Sequence, residues 1–197
     1  MSTPGRALMV PPGLRHPAAG VAVLARTLQD LDIDPAPLLA RCGLPLELAG
    51  AGQAVAVERE IAFIHLALEA SGRPDLGLLA GRGHRFPVFG FWGLALAASP
   101  TLASAIRLGL QYVDLTHTFL RWRFERTVPE AALVMQAGAP LGELETFLVE
   151  RDAAAAATLL EDLTGRRRGL AGAEFAYPAP AWAARYTAVF GCVPAFG

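Results

Sequence analysis

The chain of 197 residues contains no lysine and no asparagine, and all seventeen of its basic residues are arginine. It has only two cysteines, Cys42 and Cys192, far apart and in no paired motif. That excludes a disulfide scaffold. It also lacks an excess of one charge, since the formal net charge is −1. Residues 1–100 carry eight arginines and eight acids, and residues 101–197 carry nine and ten. A nucleic-acid-binding domain shows a basic stripe and a high pI, and neither is present. The only basic run is Arg166-Arg167-Arg168, which suits the C-terminal end of a helix.

Long apolar runs are scarce too. Phe86 to Ile106 is free of charge for twenty-one residues, about a membrane span. Pro87 and Ser99-Pro100-Thr101 break it. Ser99 before Pro100 reads as a helix N-cap with proline at the first helical position. Two buried helices are therefore expected, not one membrane-spanning helix. The N-terminal residues hold four prolines and no signal-peptide core, so the expected location is cytoplasmic. Residues 1–16 are expected to form a flexible arm, and residues 17–197 a single domain.

What is present is apolar, at 53% of residues, which excludes intrinsic disorder. Val21, Leu24, Leu28 and Leu31 repeat at three and four and predict a helix over 18–32. A short helix follows from Asp34 to Cys42, and Glu58 to Ser71 is a helix buried nearly all round. Further helices are expected over 75–83, 89–98, 101–115, 141–163 and 181–190. Gly43, Gly72 and Gly191 serve as their stops where they fall. Around residue 117 the period changes to two, with Thr118, Leu120, Trp122 and Phe124 on the apolar side. A hairpin is expected, turning at 127–130 and returning over 131–137. Strands are also expected near 54–57, over 170–177, and from Cys192 onward. The fold class is α+β, predominantly helical, with helices packed on one face of a small antiparallel sheet.

Catalytic signatures are missing. There is no G-x-S-x-G, no P-loop and no G-x-G-x-x-G. His16, His65, His84 and His117 are scattered without metal-ligand spacing. No catalytic residue, metal or cofactor is expected, and the chain does not read as an enzyme. The candidates for binding a small molecule are His65, Phe89, Trp92, Tyr112, His117, Arg121 and Arg123. Phe89 and Trp92 belong to an aromatic cluster that serves either core or pocket. His65 sits in an apolar helix, as a core histidine or a ligand contact. His117, Arg121 and Arg123 share one strand face. If that face is exposed they are plain solvated residues. If it is covered, the two arginines need an anion, and a small acidic effector would supply it. On that second reading, replacing both arginines with alanine weakens effector binding and leaves the fold intact.

Four segments in order resemble one family. Phe89-Gly-Phe-Trp-Gly-Leu-Ala-Leu-Ala-Ala-Ser-Pro-Thr-Leu-Ala-Ser-Ala-Ile resembles a G-x-x-G-x-x-L-x-x-S-P-T-L-x-x-A signature. The family is the N-terminal, arabinose-binding-type domain of AraC/XylS-type transcriptional regulators. Leu38 to Leu44 resembles its early LL-x-x-x-G-L element, and Asp75-Leu76-Gly77-Leu78 its D-x-G-L element. Tyr177-Pro178, Tyr186 and Phe190-Gly191-Cys192 resemble its closing run, except that Val193-Pro194 inverts the usual order. The resemblance implies a sensor that binds a small-molecule effector and forms a homodimer. It implies DNA binding only through a C-terminal helix-turn-helix domain, absent from this chain, and no membrane partner. The alternative is a stand-alone binding module for a hydrophobic small molecule or lipid.

Overall fold

The computed structural model describes residues 13–47, 53–127, 129–138, 140–166 and 170–197. The fold is predominantly helical α+β. In chain order the elements are β1 (Arg15–Pro17), α1 (Ala19–Gln29), α2 (Ala36–Arg41), β2 (Ala54–Ala56) and α3 (Val57–Ser71). Then come α4 (Leu76–Arg82), α5 (Gly90–Ala97), α6 (Leu102–Gln111), β3 (Leu120–Thr127) and β4 (Glu130–Ala137). The chain continues through α7 (Glu145–Thr164), β5 (Glu174–Phe175), α8 (Ala184–Phe190) and β6 (Ala195–Phe196). Single 3-10 turns lead into α5 and α7 and follow α6.

The strands form three two-stranded pairs among the described residues, where one sheet was expected. β3 and β4 make the antiparallel hairpin, in a register that sets Trp122 opposite Met135 and Phe124 opposite Leu133. β1 pairs with β2, also antiparallel. β5 and β6 pair in parallel and are too short to spread further. The expected strand over 170–177 shrinks to two residues between Gly172 and Pro178, because a two-residue ladder is all that β6 can match.

α7 is the axis of the molecule. Glu150 to Ala155 are all buried, which a helix tolerates only when neighbours cover every side of it. α4 lies against it very closely. A Cβ added at Gly81 would stand 2.5 Å from both Ala154 Cβ and Arg151 O, and one at Gly77 2.5 Å from Phe147 O. Glycine at these two positions is what lets the helix backbones approach. On one side of α7, Val21, Leu28, Phe63, Ile64 and Leu148 form the largest apolar cluster. On another, Tyr186, Phe190 and Phe175 pack with Ala153 and Ala157. A third cluster joins Leu96, Ala105 and Leu159 with Phe89 and Trp92.

Several local expectations change. The cap of α6 is Thr101, not Ser99: Thr101 Oγ1 accepts from Ser104 N at 3.1 Å, and Thr101 N donates to Ser104 Oγ at 3.1 Å. This reciprocal pair satisfies two backbone donors, one inside the helix and one at its cap. Ser99 instead donates back to Ala95 O at 3.0 Å and closes the helix before it. α3 is not buried all round, since Ala62 is exposed and His65 half-buried. Residues 1–12 of the expected arm, residue 128 of the hairpin turn and most of the Arg166-Arg167-Arg168 run lie outside the described residues. The last two residues of the expected arm, Arg15 and His16, form part of β1.

Candidate functional site

A cleft opens where α5, α6, the hairpin and α7 meet. Its walls are Trp92 and Leu96 from α5, Leu102, Ala105, Ile106 and Leu110 from α6, and Ala155, Ala156, Leu159 and Leu160 from α7. Trp122 and Leu133 of the hairpin close one side. Its innermost space is about 120 Å³, within a cleft of about 810 Å³ that includes its solvent mouth. For scale, an engineered apolar cavity of roughly 150 Å³ takes up benzene. The small residues of α7 make the space: a run of alanines on a buried helix leaves room that leucines would fill.

Polar groups gather at one end of the cleft. Thr116, His117 and Thr118 leave the helical region on the way into β3, and Asp152 faces them from α7. Thr118 Oγ1 donates to Asp152 Oδ2 and accepts from Trp122 Nε1 at 3.0 Å. Arg151, only 2% exposed, donates through Nε to Asp152 Oδ1 at 2.9 Å and through Nη2 to His117 O at 3.1 Å. Its Nη1 reaches Glu60 Oε1 at 3.5 Å, and Glu60 Oε2 meets His16 Nδ1 at 2.8 Å. The guanidinium also lies over the Phe119 ring, 5.6 Å from its centre. A buried charge of this kind is tolerated only when such partners surround it.

His117 and His84 form a second buried pair. Their Nε2 atoms are 2.8 Å apart, and His84 Nδ1 lies 2.8 Å from Ala80 O. A carbonyl only accepts, so the His84 proton is on Nδ1. Burial, reinforced by the Arg151 charge, lowers the His84 pKa from 6.5 to about 4. Burial also lowers that of His117 well below 6.5, with His84, Arg151 and His16 acting in the same direction. Both rings are therefore neutral near pH 7.

The sequence candidates separate cleanly. Phe89, Trp92 and His117 line the cleft, and Phe89 stacks on His117 with ring centres 5.6 Å apart. Arg121 and Arg123 do not share a covered face with His117. Both are exposed, and Arg123 is held by Glu125 and by Gln136 at 2.6 Å. The physical reason is the pleat: Trp122 turns inward to the cleft, so its neighbours turn outward. His65 stands outside the cleft, partly exposed, 3.5 Å from Glu143. Tyr112 is 47% exposed at the end of α6 and does not line the cleft.

Glu150, Arg151 and Asp152 were missed by sequence reasoning, as was His84. Three consecutive charged residues in a helix resemble a solvated turn. The signal against that reading was their setting, between Phe147-Leu148-Val149 and five alanines, where no polar stripe continues. Glu150 serves a separate cluster: its Oε1 accepts from Trp182 Nε1 at 2.6 Å and from the Tyr186 hydroxyl. Burial raises its pKa from 4.5 to about 7, against the opposing pull of those two bonds.

A helical α+β unit with an apolar cleft and a buried polar end is a small-molecule-binding domain in form. Residues 33–197 match the family described as the arabinose-binding domain of AraC transcription regulators, N-terminal, and the chain belongs to that family. Over 127 residues it is 31% identical to the ornithine utilization regulator of Pseudomonas aeruginosa. That alignment covers 64% of this chain and 37% of the relative, so the chain matches well under half of the relative's length. No described helix is long and apolar enough to cross a membrane.

Proposed function

We propose that this chain is the effector-sensing part of an AraC-type transcriptional regulator, and that the α5–α6–α7 cleft takes the effector. The observation that carries the reading is the cleft itself: an apolar chamber with one polar end, walled by elements from four parts of the chain. The family and the relative are both described as transcription regulators, which supports a binding role over catalysis. In this reading two copies pair, and DNA is bound by a helix-turn-helix domain elsewhere in the protein. The effector acts by binding one arrangement of the pair better than the other, because equal affinity would shift nothing. An ornithine-like amino acid is a poor match for this cleft. Its only acidic wall residue among those described, Asp152, is already engaged by Arg151 and Thr118.

Native mass spectrometry of the purified chain, compared with its denatured spectrum, tests the reading. A small-molecule adduct that vanishes on denaturation is expected, together with a dimer peak. The variant Ala156→Phe places a ring in the cleft from the part-exposed side of α7 and is expected to lose the adduct while keeping its circular dichroism. An adduct retained in that variant would place the effector elsewhere.

A further inference from the structure

We propose that the cleft selects an uncharged ligand with an apolar body and one hydrogen-bond donor, read by Nδ1 of His117. This rests on the reading of the cleft as the effector site and specifies its chemistry. Two observations carry it, one about charge and one about the hydrogen bonds of the cleft wall.

The charge observation is simple. Among the described residues the wall contains no arginine, and its only acid is Asp152, which Arg151 and Thr118 already occupy. A carboxylate or phosphate entering this space would lose its water and meet no cation. An ammonium group would find an acid whose charge is already balanced by a guanidinium 2.9 Å away. Both are excluded by the same physics, and a neutral molecule is not.

The hydrogen-bond observation fixes the polar contact. Every other polar side chain in the wall already has a partner within the protein. Thr116 Oγ1 donates to Val113 O at 2.7 Å, and Trp92 Nε1 donates to Gly109 O at 3.3 Å. Thr118, Trp122 and Asp152 satisfy one another. The exception is His117 Nδ1, a buried nitrogen with no partner among the described residues. Its chemical state follows from its neighbour. His84 carries its proton on Nδ1, toward Ala80 O, so its Nε2 accepts. The proton in the 2.8 Å contact between the two Nε2 atoms therefore belongs to His117. A neutral His117 protonated on Nε2 has a bare Nδ1, which is an acceptor only. The Cδ2 side of the ring faces Gly20, where an added Cβ would stand 2.6 Å away. Phe89 covers one ring face and His84 takes Nε2. Those contacts take the other edges of the ring; the Nδ1 edge is buried as well and has no protein partner among the described residues, so a ligand donor reaches it only as the wall gives way. A buried acceptor without a partner is rare in folded proteins and calls for a donor. A ligand hydroxyl or neutral N–H supplies it.

The test uses four probes of one size on the intact chain: benzyl alcohol, its isomer anisole, benzoate and benzylammonium. Trp92 and Trp122 line the cleft, so tryptophan fluorescence reports entry, and imidazole nitrogen-15 NMR reports His117 directly. Benzyl alcohol is expected to bind at least about tenfold more tightly than anisole, and the two ions not to bind. The Nδ1 resonance of His117 is expected to move upfield with benzyl alcohol and to stay in place with anisole. Ala156→Phe is expected to abolish both neutral responses. Equal affinity for the two isomers, or an unmoved Nδ1 resonance, overturns the donor assignment while the cleft stands as a site. Tighter binding of benzoate or benzylammonium overturns the charge argument. If no probe enters the native chain, or if Ala156→Phe binds them unchanged, the reading of the cleft as the effector site falls as well.

Discussion

Glu150 shows how much one buried carboxyl imposes. In the unfolded chain it gives up its proton near 4.5, and in the fold it holds it until about 7. Its folded-state pKa is raised, so its contribution to stability is full below about pH 4.5 and is lost as pH climbs to 7. His84 has the opposite sign. It titrates near 6.5 when unfolded and about 4 when folded, so its contribution is lost as pH falls through that window. Stability should therefore pass through a maximum in the weakly acidic range. Glu150→Gln keeps an oxygen for Trp182 and Tyr186 and removes the titration. Denaturant melts should find it on the order of 1–3 kcal/mol more stable than the native chain above pH 7, and close to it at pH 4.5. Parallel curves across the range would show that Glu150 stays ionised. The one hint beforehand was the apolar setting of the charged triplet, between Phe147-Leu148-Val149 and five alanines. Burial decides whether a carboxyl is unusual, and in a helix covered on every side no polar stripe marks the buried positions.

At the scale of elements, α4 and α7 depend on the absence of two side chains. Even a methyl group at Gly81 meets Ala154 Cβ and the Arg151 carbonyl at 2.5 Å, and a backbone oxygen in a buried helix has nowhere to go. Gly81→Ala should cost about 1–3 kcal/mol despite alanine's better helix propensity, because over-packing outweighs it. Thermal unfolding checks the sign, and a stabilised variant would mean that the helices can part without loss. Most elements could be read from the sequence. Leu28 and Leu24 gave α1 its period, Trp122 and Phe124 gave the hairpin its alternation, and Gly72 ended α3 with a left-handed φ of 57°. What escaped was β1 and its pairing: β2 was expected near 54–57, but not its partner over 15–17. β1 and β2 are three residues each and exist only because 15–17 meets 54–56 across α1 and α2. The α6 cap moved by two residues because Thr101 has Ser104 to answer it and Ser99 has no such partner.

For the molecule as a whole, three of the seven residues named from the sequence, Phe89, Trp92 and His117, line the candidate cleft. Phe89 and Trp92 come from an aromatic, glycine-rich run that read as core or pocket, and His117 from the strand face it was expected to share with Arg121 and Arg123. Arg121 and Arg123 suggested an anion site, but strand geometry sends them to solvent once Trp122 faces inward. The proton shared by His84 and His117 gives this arrangement a consequence in time. It sits between the buried His117 ring in the cleft wall and the His84 ring behind it, 2.8 Å from nitrogen to nitrogen. Solvent reaches it only when that wall opens, so its exchange with deuterium counts opening events. In the free chain the count is the breathing rate of the sensor. With a ligand on His117 the exchange should slow by about the fraction of time the site is filled. An exchange rate unaffected by a saturating ligand would mean that the rings are wetted from the Gly20 side. The pair is thus a clock built into the wall, readable without any label on the ligand.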